Sequence, residues 1–123
     1  MTSTTKSIRP HYRLEAWKES MILVKHVYQL TNEFPATEAY GLTAQMRRAT
    51  VSIPSNLAEG AARAGAKEFA QFLNVAKGSL SELETQILIA KDLGYVRSVE
   101  GLMDHAERVS RLPAGLYKKV VAS

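Results

Sequence analysis

Residues Gly41 to Arg63 read GLTAQMRRATVSIPSNLAEGAAR. Leu42, Met46, Ala49, Ile53 and Leu57 recur at three- and four-residue steps, which a 3.6-residue period gathers onto one apolar face. That face needs a partner to bury it. About a quarter turn round the same wheel, Gln45, Ser52, Asn56, Glu59 and Arg63 form a second stripe. It is uncharged over much of its length and suits a packed polar interface between helices or subunits. Pro54 interrupts the pattern: it removes a backbone donor and disfavours helical angles at Ile53, so a kink or a break into two shorter helices is expected. Ser52, Ser55 and Asn56 are spaced to satisfy freed backbone groups, and Asn56 with Glu59 has the spacing of a capping box.

Upstream, a helical pattern starts near Leu14. Leu14, Trp17, Met21, Val24 and Tyr28 form one stripe, with Leu23, Val27, Leu30 and Phe34 in another beside it. Trp17 lies in register with the first stripe and is read as a core residue rather than a ligand platform. The helix should end between Asn32 and Pro35. Residues 1–13 lack an apolar period and read as a flexible tail, in which Lys6, Arg9, His11 and Arg13 are either solvated or reach an acidic partner.

Downstream, Ala64-Gly65-Ala66 signals a turn. A third helix is expected from about Lys67 to Leu93, its core stripe Phe69, Phe72, Leu73, Ala76, Leu80, Leu83, Ile87 and Ala90. Along its flank Asn74, Gly78, Ser81 and Thr85 make a small, polar ridge fit for a close helix contact, within the chain or between subunits. Gly94 is placed for a left-handed helix cap. A fourth helix carries Val99, Leu102, Ala106, Val109, Leu112, Leu116 and Val120, with a kink near Arg111 or fraying beyond it expected from Pro113 and Gly115, and a basic end at Lys118 and Lys119. No stretch alternates like a strand. The expected fold is all-α, an antiparallel up-down-up-down four-helix bundle spanning residues 14–121.

The chain has 123 residues, enough for one core, and no cysteine, which excludes disulfide and thiolate chemistry. Without an apolar run of about 18 residues or a leader-like segment, neither a membrane span nor a secretory signal is expected, and a cytoplasmic location follows as the default. Sixteen Lys and Arg against twelve Asp and Glu leave a net charge of +4, which favours a polyanion partner without requiring one. Catalytic signals are lacking. No Glu is followed by His three residues later, as a di-iron bundle requires, and His11, His26 and His105 fall on separate elements, so no metal is expected. Ser79 lacks the glycine frame of a nucleophile elbow and reads as a packing residue; Glu82 and Glu84 diverge on a helix; there is no phosphate loop. Neither a cofactor nor an enzymatic activity is expected.

The stretches LEAW (14–17), YQLTNEFP (28–35), GLTAQMRR (41–48), SIPSNLAEG (52–60) and FLNVAKGSLSELETQILIAKDLGY (72–95) resemble, in order, the four-helix-bundle proteins of 23S ribosomal RNA intervening sequences. That family is similar to the accessory variability determinant of diversity-generating retroelements. The resemblance implies a basic bundle assembling as a ring of five, with nucleic acid and a reverse transcriptase as partners in the retroelement branch. This chain departs from the pattern at Pro113 and Gly115 and at Ala61-Ala62.

The leading expectation is a non-enzymatic, oligomeric nucleic-acid-binding protein. Its phosphate ligands would be Arg47, Arg48, Arg63, Lys67 and Lys77, acting by charge without base readout. Each has a local alternative: Arg63 is spaced to pair with Glu59, and Arg48 to tie down the polar stripe. The competing expectation is a protein-interaction scaffold, such as a reverse-transcriptase subunit, that does not touch nucleic acid. Oligomerisation is expected separately from apolar residues spread too widely for one core, Leu23, Val27, Val75, Leu88 and Ile89.

Overall fold

A computed structural model describes residues 9–122. Four helices make up the bundle: α1 (Glu15–Thr31), α2 (Leu42–Ala61), α3 (Ala66–Asp92) and α4 (Glu100–Ala122), with 3-10 turns at Pro10–Arg13 and Ala36–Glu38 and no strand among the described residues. Each helix packs on its sequence neighbours and α1 closes against α4, so the up-down-up-down bundle is what forms. The short connections leave antiparallel packing as the way to bury each apolar stripe.

The α2 face is as the periodicity dictates: Leu42, Met46, Ala49, Ile53 and Leu57 are all buried, facing Leu73, Ala76, Leu80, Leu83, Ile87 and Ala90 of α3 in one core. Fully burying a side chain such as Ile53 or Leu80 contributes on the order of 1.5–3 kcal/mol. Phe69 is only partly buried against this core. In α1 the buried stripe is Ala16, Ser20, Leu23, Val27 and Thr31, while Met21 and Tyr28, from the first of the two apolar stripes, are exposed. Ser20 and Thr31 enter the core because their hydroxyls donate to the Trp17 and Val27 carbonyls at 2.9 Å, within the helix. Leu23 and Val27 are therefore core residues, not the surplus apolar surface they suggested, whereas Val75, Leu88 and Ile89 are exposed.

Neither proline ends its helix. α2 runs unbroken through Pro54 and α4 through Pro113, so the break at Pro54 and fraying beyond Arg111 do not occur. Both rings are buried, and the helices continue because tertiary packing outweighs the loss of one backbone bond. The side chains near Pro54 bond other carbonyls than the one it frees at Thr50. Ser55 Oγ donates to Val51 O at 2.8 Å and Asn56 Nδ2 to Ser52 O at 2.8 Å. Asn56 caps nothing.

Gly94 has φ +79°, the left-handed angle that lets α3 stop, with the Gly94 and Tyr95 amides donating to Lys91 O and Ala90 O. The tail expected over residues 1–13 lies outside the described residues for 1–8. Within it, Pro10–Arg13 forms a 3-10 turn packed against α1 and α2.

Candidate nucleic-acid interface

The polar stripe of α2 hydrogen-bonds to α3 where Ser52 Oγ and Ser79 Oγ lie 2.9 Å apart, and Asn56 Nδ2 donates to Ser52 Oγ at 2.9 Å. Ser79, a packing residue on sequence grounds, thus joins the two helices. Gln45 and Glu59 remain exposed, as do Asn74, Gly78, Ser81 and Thr85 on the outer side of α3, where no helix of the same chain covers them. Thr85 Oγ1 donates within its own helix, to Ser81 O at 3.1 Å.

The five cations singled out as phosphate ligands do not converge. Arg47 is a brace: Nε donates to Thr31 Oγ1 and NH2 to Asn32 Oδ1, both at 2.9 Å, and the guanidinium lies 4.4 Å from the centre of the Tyr28 ring. It fastens α2 to the end of α1, whereas Arg48, offered by the sequence as a tie for the polar stripe, is exposed beside it. Arg63 pairs with Glu59 at 2.7 Å, as its spacing indicates, and lies over Phe72. Lys77 is over the Tyr117 ring of α4 at 4.8 Å, and Lys67 is exposed. Arg47 and Arg63 are separated by most of α2, roughly 20 Å at 1.5 Å per residue.

The fold gathers a different set. The antiparallel order puts the start of α1, the end of α2, the start of α3 and the end of α4 in one half of the bundle. Among the described residues that half carries nine cations, Arg9, Arg13, Lys18, Arg63, Lys67, Lys77, Arg111, Lys118 and Lys119, against four carboxylates, Glu15, Glu19, Glu59 and Glu68. The opposite half has six, Lys25, Arg47, Arg48, Lys91, Arg97 and Arg108, against eight, Glu33, Glu38, Glu82, Glu84, Asp92, Glu100, Asp104 and Glu107. A chain of net charge +4 thus becomes a molecule whose positive excess is concentrated at one end, with the other end slightly anionic. Arg13, Arg111 and Lys119 line a groove of about 360 Å³ between the start of α1 and the end of α4, with Leu14, Ala16, Leu112 and Leu116 among its walls. Arg111 also reaches Glu107 at 3.2 Å, an exposed pair of the kind that contributes little to stability. Of this set the sequence offered Arg63, Lys67 and Lys77 as phosphate ligands, Arg9 and Arg13 as residues that are solvated or reach an acidic partner, and Lys118 and Lys119 as a basic helix end, but it did not join them into one surface. Its signal is the pairing of Arg9 and Arg13 with Lys118 and Lys119, visible once opposite ends of the chain share one end of the bundle.

The histidines are also rearranged. His26 and His105, on separate helices, meet with their Nδ1 atoms 3.1 Å apart, and His105 Nε2 lies 3.4 Å from Glu19 Oε1. Among the described residues no group of three or more His, Cys, Asp or Glu is arranged to hold a metal ion. No helix among them is long and apolar enough to cross a membrane.

No curated protein matches the chain. The family model of the 23S rRNA-intervening sequence proteins does, over residues 12–115, which takes in the 3-10 turn from Tyr12, the first three helices and α4 as far as Gly115. The match includes Pro113 and Gly115, inside a helix the structure shows to be continuous. The chain belongs to the 23S rRNA-intervening sequence protein family.

Proposed function

We propose that this protein is a non-enzymatic, oligomeric nucleic-acid-binding protein that presents the cationic end of its bundle to the phosphate backbone. The observation that supports the reading is the separation of charge along the bundle, nine cations against four carboxylates in one half and six against eight in the other. A polyanion is attracted to one end and repelled from the other, and contacts of this kind hold phosphates without reading bases. Arg111, Lys118 and Lys119 on α4 act with Arg13 and Lys67, while Arg47 serves the fold. Copies associate through the outer side of α3, where Asn74, Gly78, Ser81 and Thr85 are flanked by exposed Leu88 and Ile89. Small residues there allow close approach, and the two aliphatic side chains supply apolar surface to bury.

Filter binding of RNA and DNA at two salt concentrations tests the first part. With about five phosphates neutralised, affinity falls roughly a hundredfold for a single strand and roughly five-hundredfold for a duplex between about 50 and 200 mM salt. Charge reversal at Arg111 and Lys118 weakens binding, and Arg97→Glu, in the other half, does not. Affinity independent of salt, or no binding at low salt, overturns the reading. Light scattering with Leu88→Glu tests the second part: a monomeric parent at micromolar concentration, or an oligomer untouched by the substitution, rules out the α3 contact.

A further inference from the structure

We propose that the turn Arg9–Arg13, seated on Trp17 at the cationic end, is a stacking platform for single-stranded nucleic acid. This rests on the nucleic-acid reading above and specifies its ligand. The segment reads Arg-Pro-His-Tyr-Arg. Pro10 presets the turn, and backbone bonds from Tyr12 N to Arg9 O at 3.0 Å and from Leu14 N to His11 O at 3.1 Å close it. The turn places His11 and Tyr12 edge-on at 4.6 Å between ring centres, and both rest on Trp17, His11 at 5.1 Å and Tyr12 at 5.3 Å. Three rings are thus fixed by one another before any ligand arrives, which lowers the ordering cost of binding.

Tyr12 is 37% exposed and His11 half-buried, while Trp17 packs against the core as its register indicates and serves as the floor under these two rings, which face solvent. Arg9 and Arg13 flank the rings in sequence, and Arg13 continues into the groove that Arg111 and Lys119 line from α4. Glu15 is the acidic residue on that groove. Exposed rings bordered by guanidinium groups suit a strand whose bases are unpaired, because every base has a face to stack and every linkage a phosphate to neutralise. In a duplex those faces are occupied by neighbouring bases, leaving only the charge contacts.

The chain has one tryptophan, Trp17, so its fluorescence reports directly on this site. The full chain is titrated at low salt with oligouridine and oligothymidine of about a dozen nucleotides, and with a duplex of similar length. The single strands alter Trp17 emission and bind at least about tenfold more tightly than the duplex. Tyr12→Ala lowers single-strand affinity by roughly tenfold to a hundredfold and leaves duplex affinity unchanged, while Tyr12→Phe restores it. Circular dichroism of Tyr12→Ala establishes that the helices persist. Nucleic acid that binds without moving Trp17 emission, prefers the duplex, or ignores Tyr12→Ala overturns this proposal and leaves the charge-driven reading standing. Failure of every nucleic acid to bind at low salt removes both.

Discussion

Tyr95 donates its hydroxyl proton to Glu38 Oε2 at 2.6 Å, joining the connection between α1 and α2 to the one between α3 and α4 across 57 residues of sequence. The other carboxylate oxygen, Oε1, accepts the Leu42 amide at 2.9 Å and so satisfies one of the open donors at the start of α2. The Tyr95 hydroxyl, and after it the Leu42 amide, hold the Glu38 carboxyl below its ordinary 4.5.

Removing either partner should therefore loosen the same end of the bundle. Glu38→Ala lowers the urea midpoint more than Tyr95→Phe, because it removes the cap as well as the tie. In a double-mutant cycle the two effects are less than additive. The stabilisation is present above pH 4.5 and is lost as the pH falls through the lowered folded value, so the Glu38→Ala difference should vanish in strong acid.

His105 gives stability a second dependence on pH. Burial is the main cause that holds it below its ordinary 6.5; His26 and Arg108 act in the same direction, while Glu19 pulls upward without offsetting them. Between the lowered folded value and 6.5 the unfolded chain holds a proton that the folded chain has released. Stability is thus full above pH 6.5 and declines as the pH falls through the folded value. Thermal unfolding from pH 8 to 5 should show this slope, and His105→Gln should flatten it.

Glycine replacements should differ in sign along the chain. A Cβ at Gly60 would come within 2.8 Å of Phe72 Cβ and 2.9 Å of Phe69 Cδ1, and because Phe72 Cβ is fixed to its backbone the helices must separate. Gly60→Ala is expected to destabilise by about 1–3 kcal/mol despite the better helix former. A Cβ at Gly78 meets nothing within 4 Å in the single chain, so Gly78→Ala should stabilise an isolated subunit by about 0.5–1 kcal/mol. If the substitution instead weakens self-association, a second copy sits on that ridge. Denaturation and light scattering of the same sample separate the two effects.

Thr50 is fully buried and its Oγ1 has no hydrogen-bond partner. Replacing that hydroxyl by a methyl group keeps the shape and removes an unmet polar atom, so Thr50→Val should raise stability by about 1 kcal/mol in urea unfolding. A loss of stability would mean that the hydroxyl has a partner in solution.

The α2 face and the core side of α3 were legible because large aliphatic residues repeat there over several turns, a longer register than the exposed Val51, Val75, Leu88 and Ile89 offer. In α1 two apolar stripes lie side by side. The periodicity did not choose between them; the fold buries Leu23, Val27 and Phe34 of the second and extends that face through Ala16, Ser20 and Thr31, small residues that allow close packing, with the Ser20 and Thr31 hydroxyls bonding back to their own helix. The break at Pro54 and the fraying beyond Arg111 did not follow because each was expected from a local penalty, weighed without the packing that outweighs it. The basic end was hidden because Arg13 and Lys119 are far apart in the chain and share a groove only after the helices alternate in direction. Residues 9–13 lack periodicity because a single turn has none to show.

Two ends of opposite sign give each subunit an electric moment lying along its long axis. In the field of a polyanion that moment acts as a torque, turning the particle so that it arrives nose-first before any specific contact forms. Subunits laid side by side in the same direction would add their moments into a two-faced disc, whereas alternating subunits would cancel them. If copies do assemble, their relative direction decides whether this moment survives to orient the particle, while the net charge of +4 per chain attracts a polyanion in either arrangement.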